Sequence, residues 1–172
     1  KAHRVVQEAK GRPVMEFGAR RAQGYDSATY GARAAYIGGV AGTATVSAGE
    51  MFDIPVVGTM AHSFVQSFDS EYEAFKAYAL TYLDDCVLLV DTYDTLKSGV
   101  PHAIEIAKEV LEPMGKKLKG IRLDSGDISY LSKRARAMLD VAGLTYVSIS
   151  ASNSLDEYLI RSLLNQGAQL DS

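Results

Sequence analysis

The sequence has very little cysteine, no long apolar run and no excess of positive charge. Its one cysteine, Cys86, lies inside an apolar strand pattern, which favours a buried, unreactive thiol in a reducing compartment over a disulfide or a nucleophile. No apolar run approaches the ~20 residues of a membrane-spanning helix, and the residues after Lys1 lack the apolar core of a signal peptide. We therefore predict a cytoplasmic protein without a membrane partner.

The net charge restricts the classes of ligand that the protein is expected to bind. A net charge of -3 and a pI near 5.6 leave no broad basic surface, so nucleic acid is not a predicted partner, although local basic groups could bind a small anion. The chain has no Cys/His cluster of the kind that binds metals, so no metal site built from protein side chains alone is predicted. With 172 residues, 47% of them hydrophobic, one globular domain with a sizeable core is expected.

Three apolar strand patterns end in polar residues. The segment 86–90 leads to Asp91, the segment 120–123 leads to Asp124, and the segment 146–150 leads to Ser152. The first two of these polar residues are 33 residues apart and the next two 28, about the length of one strand–helix unit. The spacing predicts an α/β fold with a parallel sheet, whose carboxyl-terminal edge is where ligands bind in such folds.

Other patterns place further elements and their ends. Residues 13–17 and 54–57 are predicted strands, and His62 follows the second of them. Ser70 and Ser154 each stand three residues before a glutamate and are predicted to begin helices as capping boxes. Asp127 is a candidate helix cap after the strand at 120–123. Two open sheet edges would leave unpaired strands, so we expect the sequence to be a fragment of a longer protein.

The polar residues at the strand ends suit a ligand that carries both hydroxyls and an anionic group. Asp91 and Asp124 are suited to act as a general acid/base pair, as metal ligands or as acceptors for sugar hydroxyls, while the guanidinium of Arg122 suits an anion. Arg20 and Arg21, shortly after the predicted strand at 13–17, also suit planar anions. From spacing alone, the sequence predicts an α/β enzyme that acts on a small anion or a phosphosugar.

Five segments, in order, carry a more specific resemblance. They are Glu16-Phe-Gly-Ala-Arg-Arg-Ala-Gln23, Gly58-Thr-Met-Ala-His-Ser63, Leu89-Val-Asp-Thr-Tyr-Asp-Thr-Leu-Lys-Ser-Gly-Val-Pro101, Gly120-Ile-Arg-Leu-Asp-Ser-Gly-Asp127 and Ala151-Ser-Asn153. Together, over about residues 13–171, the sequence resembles the nicotinate phosphoribosyltransferase family. The resemblance implies part of a TIM-like α/β barrel of the type II phosphoribosyltransferase kind, incomplete at both ends. Residues 1–172 would be its central portion, without the N-terminal domain and the later barrel strands.

The resemblance also implies an activity. Members of the family transfer 5-phosphoribose from 5-phosphoribosyl 1-diphosphate to nicotinate in NAD biosynthesis, and they couple this to ATP hydrolysis through a phosphohistidine. The expected ligands are therefore nicotinate, 5-phosphoribosyl 1-diphosphate, ATP and Mg²⁺, and the expected assembly is a homodimer. The fragment alone is expected to be inactive.

Residue roles follow from the resemblance position by position. His62 matches the phosphorylated histidine, and Asp91 and Asp124 match residues that hold the ribose and the Mg²⁺-diphosphate. The remaining matches are to substrate-binding positions: Phe17, Arg20, Thr59, Arg122, Ser152 and Asn153.

Two departures from the family pattern bear on specificity. Met60 stands where many members have a second histidine, and Ala44 stands in a Gly-Thr segment that is often followed by Ser-Asn. The related nicotinamide enzyme has an aspartate near this position. An uncharged residue beside two arginines favours a carboxylate ligand, so the sequence indicates nicotinate rather than nicotinamide.

Two alternative functions remain open from the sequence. One is a different phosphosugar enzyme on a TIM-like barrel, and the other is a non-catalytic sensor of pyridine ligands.

Overall fold

The computed structural model describes all residues from Lys1 to Ser172. They divide into two compact units. The first comprises Lys1–Gly58, Leu155–Ser162 and Ser172, and the second comprises Thr59–Ser154 and Leu163–Asp171. No helix combines the length and the apolar character needed to cross a membrane.

The first unit combines three helices with a small parallel sheet. Its elements are α1 (Ala2–Glu8), β1 (Met15–Glu16), a 3₁₀ turn (Ala19–Arg21), α2 (Tyr25–Ile37), β2 (Gly42–Thr43) and α3 (Val46–Phe52). Strands β1 and β2 pair in parallel, with Met15 opposite Gly42. The predicted strand at 54–57 is reduced to one parallel bridge between Val56 and Thr43, so the prediction was wrong in extent. Pro55, inside this run, has no backbone N–H to donate to a strand ladder.

The second unit is an α/β arrangement around a three-stranded parallel sheet. Its strands are β3 (Val87–Leu89), β4 (Gly120–Leu123) and β5 (Ser148–Ala151), paired in that order. Its helices are α4 (His62–Gln66), α5 (Glu71–Thr81), α6 (Val100–Glu105) and α7 (Ile128–Val141), while α8 (Glu157–Asn165) has residues in both units. Each predicted strand–helix unit is therefore present, and the parallel order of the strands is confirmed.

The core of the second unit lies on both faces of this sheet. Leu88, Ile121 and Ile149, at matching positions of the three strands, are fully buried, and so is Leu89, whose side chain lies on the opposite face of β3. Continuous burial along strands is typical of parallel sheets covered by helices. Cys86 is also fully buried, and this burial raises the pKa of its thiol to about 12. The prediction of a buried cysteine is confirmed, and its lack of reactivity stays a prediction.

Side-chain caps define where several helices begin. Asp127 accepts a hydrogen bond from the Tyr130 N–H at 3.0 Å, and Ser70 accepts one from the Glu73 N–H at 3.2 Å, as the sequence predicted. The cap predicted at Ser154 was wrong, because α8 begins only at Glu157. Asp156, one residue before the helix, accepts from the N–H groups of Tyr158 and Leu159 instead.

The segment after β3 lies unusually close to the strand. A π-helical turn, Thr95–Gly99, leads into α6, which continues through a second π-helical segment, Ile106–Leu111, and a 3₁₀ turn, Glu112–Met114. A Cβ atom at Gly99 would lie 1.8 Å from the carbonyl oxygen of Val90. Glycine is therefore required at position 99 for the turn to pack against the end of β3, next to Asp91.

Candidate active site

The carboxyl ends of the three strands bring Asp91, Asp124 and Ser152 together. Asp124 and Ser152 directly follow β4 and β5, and Asp91 lies two residues beyond β3. The Asp124 N–H donates a hydrogen bond to Asp91 Oδ2 at 2.9 Å. The Ser152 hydroxyl donates to Asp124 Oδ1. The parallel register thus links residues from three strands into one connected polar edge.

Asp91 is the buried member of this edge. Its side chain is 1% exposed, and Oδ2 also accepts a hydrogen bond from the Ser125 hydroxyl at 2.5 Å. The other oxygen, Oδ1, is buried and has no hydrogen-bond partner. Because a buried carboxylate oxygen is costly to leave unbonded, Oδ1 is suited to accept a hydroxyl or a cation from a ligand.

His62 faces both carboxylates. It is the first residue of α4, and its Nε2 lies 3.5 Å from Asp124 Oδ2 and 4.0 Å from Asp91 Oδ1. On the other side of the ring, Nδ1 lies 3.1 Å from Thr92 Oγ1. The side chain is 37% exposed. The imidazole is therefore oriented through both nitrogens and is still accessible to a ligand.

Arg122 and Thr59 lie in the same unit as the carboxylates. The guanidinium of Arg122 is 13% exposed, and its Nη2 lies 3.8 Å from Asp124 Oδ1. Its Nη1 donates to the carbonyl of Met60 at 3.3 Å. The hydroxyl of Thr59 donates to the carbonyl of Val87 at 3.2 Å, at the start of β3. These contacts place a positive charge beside Asp124.

The other predicted site residues are located as follows. Asn153 directly follows Ser152, is exposed and has a left-handed backbone with φ of 79°. Phe17, which is 40% exposed, follows β1, and Arg20 lies in the 3₁₀ turn of the first unit. For all three residues, the substrate-binding role stays a prediction.

Sequence reasoning passed over two residues of the polar edge. Thr92 contacts the ring of His62, and Ser125 contacts the carboxylate of Asp91. Each one directly follows a predicted site aspartate, which is the signal that could have identified them. Hydroxyl side chains in turns are common for local reasons, so their position alone did not distinguish them.

The donor set suits a metal ion that brings ligands of its own. Asp91, Asp124 and His62 do not form a group of three or more side chains arranged to hold a metal ion. Mg²⁺ is commonly bound by one or two carboxylates together with substrate phosphates, and the unbonded Asp91 Oδ1 fits such a role. The two carboxylates, the imidazole and the guanidinium can therefore act together on a phosphorylated ligand.

Comparisons with known proteins agree on one family. Residues 13–169 match the model of the nicotinate phosphoribosyltransferase (NAPRTase) family. A nicotinate phosphoribosyltransferase of Bacillus subtilis is 56% identical over 158 residues, which are 92% of this chain and 32% of that protein. The nicotinate phosphoribosyltransferase pncB2 of Mycobacterium tuberculosis is 53% identical over 171 residues, covering 99% of this chain and 36% of that protein.

Solved structures give the same result. The crystal structure of human nicotinic acid phosphoribosyltransferase matches 99% of this chain and 45% of its own, with a TM-score of 0.83 and 28% identity. A nicotinate-nucleotide pyrophosphorylase from Pyrococcus furiosus matches 99% of this chain and 43% of its own, with a TM-score of 0.79 and 29% identity. The chain spans about a third of the length of the curated relatives above.

Proposed function

The chain belongs to the nicotinate phosphoribosyltransferase family, and from this premise we propose that it is the central portion of an enzyme that makes nicotinate mononucleotide in NAD biosynthesis. The enzyme transfers 5-phosphoribose from 5-phosphoribosyl 1-diphosphate to nicotinate, releases diphosphate and couples the transfer to ATP hydrolysis. Residues 1–172 form part of a TIM-like barrel, whose N-terminal domain and later strands come from chain outside them. The enzyme acts as a homodimer.

One observation carries the proposal: His62 lies within 3.5 and 4.0 Å of two carboxylates at the ends of neighbouring parallel strands. An imidazole nitrogen is a competent nucleophile towards a phosphoryl group. A lone pair of His62 forms a bond to the γ-phosphorus of ATP while the bond to the bridging oxygen breaks, and ADP leaves with that electron pair. Water later takes the phosphoryl group from His62.

The carboxylates serve the sugar and diphosphate end of the reaction. Asp91 and Asp124 would hold Mg²⁺, which supplies positive charge to the phosphates of both ATP and the phosphoribosyl donor. Transfer at the anomeric carbon develops positive charge on the ribose, which nearby carboxylates stabilise. The ring nitrogen of nicotinate bonds to that carbon while the bond to diphosphate breaks.

The remaining predicted residues bind the substrates. Arg122, at the end of β4, and Arg20 supply guanidinium groups for the carboxylate of nicotinate. Phe17 stacks on the pyridine ring, and Thr59 contacts nicotinate. Ser152 and Asn153 bind at the end of β5. The observed contact between Ser152 and Asp124 supports this placement for Ser152.

The proposal is tested with His62→Ala in the full-length enzyme. ATP stimulation of mononucleotide formation should be lost, while some transfer without ATP should remain, because the phosphoribosyl donor carries its own leaving group. Mononucleotide is measured with nicotinate and, in parallel, with nicotinamide. His3→Ala, at an exposed position of α1, is the matched control.

Three outcomes would contradict the proposal. Full ATP coupling in His62→Ala would remove the histidine from the mechanism. Faster turnover of nicotinamide than of nicotinate would overturn the substrate assignment. Tight binding of nicotinate without any mononucleotide in the unmodified enzyme would indicate a sensor.

A further inference from the structure

The side chain of Glu16, the second residue of β1, connects two segments of the first unit. Its Oε2 accepts a hydrogen bond from the hydroxyl of Thr43 at 2.6 Å and one from the hydroxyl of Thr45 at 3.4 Å. The Thr43 oxygen in turn accepts from the Thr45 N–H at 3.0 Å. Thr43 is fully buried and Thr45 nearly so. One carboxylate oxygen therefore holds the turn that follows β2.

The other oxygen of Glu16 holds the turn that follows β1. Oε1 accepts a hydrogen bond from the Gly18 N–H. A Cβ atom at Gly18 would lie 2.9 Å from this oxygen, so a side chain there would force the carboxylate away. Gly18 begins the 3₁₀ turn that carries Arg20, and its carbonyl accepts from the Arg21 N–H at 2.8 Å. The carboxylate thus controls where the arginine turn starts.

Strand pairing does not depend on these side-chain bonds. Backbone bonds already align β1 with β2, and the Ala44 N–H donates to the carbonyl of Glu16 at 2.9 Å. The bonds of the carboxylate act beyond the strand ends, on the segment of Phe17 and Arg20 and on the turn at Ala44. Hydrogen bonds to an ionised acceptor are shorter and stronger than neutral ones. The bonds of the Glu16 carboxylate therefore fix the positions of residues outside the strands.

We propose that Glu16 is a positioning residue for nicotinate: its carboxylate sets the placement of Phe17 and Arg20 relative to the turn at Thr43–Thr45. This rests on the proposed function, in which Phe17 and Arg20 bind the pyridine ring and its carboxylate. Because three donors of the chain bond to the carboxylate of Glu16, its role is to orient its neighbours rather than to contact substrate. Displacement of the segment that carries Phe17 and Arg20 would weaken the binding of nicotinate and leave the binding of the phosphoribosyl donor unchanged.

The test is Glu16→Gln in the full-length enzyme. Glutamine keeps the size of the side chain but replaces one acceptor oxygen with an NH₂ group. On the Gly18 side this group opposes an N–H donor, and on the Thr43 side the Thr43 hydroxyl must rotate to accept, so in either case the bonds to a charged acceptor are lost. The KM for nicotinate should rise about tenfold, the value expected for losing a hydrogen bond to a charged group, while kcat and the KM for the phosphoribosyl donor change less than twofold. Glu109→Gln, on an exposed helix position, should leave all three unchanged.

Thr43 variants provide an independent route if Glu16→Gln folds poorly. Thr43→Val removes the hydroxyl and should raise the KM for nicotinate in the same way, and Thr43→Ser should restore it. The double variant Glu16→Gln/Thr43→Val should be no worse than the stronger single variant, since both break the same bond. A purely structural role would instead lower the thermal midpoint without separating the two KM values.

Direct binding distinguishes this inference from the proposed function. Nicotinate dissociation constants are measured by equilibrium dialysis beside the kinetics. If the unmodified enzyme makes mononucleotide and both variant series keep its nicotinate KM, the role of Glu16 is refuted and the function stands. If the unmodified enzyme neither binds nicotinate nor makes mononucleotide, both fail. If it binds nicotinate without turnover, the dissociation constants of the variants decide the role of Glu16.

Discussion

Replacing Thr92 by valine tests how the structure holds the imidazole of His62. Valine keeps the shape of threonine but removes the hydroxyl that lies 3.1 Å from His62 Nδ1. In the variant, the ring is oriented only from the Nε2 side, where Asp124 Oδ2 lies at 3.5 Å. The ring would then sample orientations in which its reactive nitrogen points away from a bound phosphoryl group.

The size of the effect follows from the exposure of the site. A hydrogen bond contributes about 0.5–1.5 kcal/mol net, and water can replace part of this one because His62 is 37% exposed. We expect a loss of about 1 kcal/mol in the placement of the ring. At 1.36 kcal/mol for each factor of ten, this corresponds to phosphorylation about fivefold slower than in the unmodified enzyme.

The assay measures phosphorylation of His62 separately from the phosphoribosyl transfer. The full-length enzyme is incubated with ATP labelled at the γ-phosphate, and acid-labile protein phosphate is followed in a single turnover. Transfer without ATP should keep its rate, and Thr92→Ser should restore phosphorylation. Thr81→Val removes an exposed hydroxyl that donates to the carbonyl of Ala77 within α5 and serves as the control. An unchanged rate of phosphorylation, or an equal loss of ATP-independent transfer, would refute the reasoning.

Two further predictions concern the folded chain itself. Burial raises the pKa of the Cys86 thiol to about 12, so only about one part in ten thousand of it is ionised at pH 8. Iodoacetamide should therefore label Cys86 only after urea is added. Labelling of the folded protein would contradict this burial. Gly99→Ala places a Cβ atom 1.8 Å from the Val90 carbonyl oxygen and should cost at least about 3 kcal/mol in urea unfolding. Gly31→Ala, in open space on α2, should instead stabilise by about 0.5–1 kcal/mol; equal effects of the two substitutions would be inconsistent with the close packing at Gly99.

The parallel sheet of the second unit could be predicted because its signals are local and repeated. The apolar runs before Asp91 and Asp124 are separated by one strand–helix length, and the register pairs Leu89 with Arg122. Residues just beyond paired ends of parallel strands are neighbours, which places Asp124 N–H on Asp91 Oδ2. Spacing therefore sufficed to bring the two aspartates together.

Errors and omissions arose where several nearby residues could make the same contact. Ser154 and Asp156 are both suitable caps for α8, and the first helical residue decides between them. Likewise, the turn at Thr43–Thr45 gives no local sign of the group that it binds. The anion there is the chain's own Glu16, a partner 27 residues away from Thr43 that no local pattern indicates.

The sequence by itself determined the order of strands and helices and the types of side chain at the strand ends, because these depend on short-range periodicity. The family followed from the resemblance carried by five segments, not from composition or spacing. Only the tertiary structure decided which atoms meet: the imidazole of His62 between Thr92 and two aspartates, and the carboxylate of Glu16 between two turns. Hydrogen bonds form over about 3 Å, a scale that depends on the packing of segments distant in sequence.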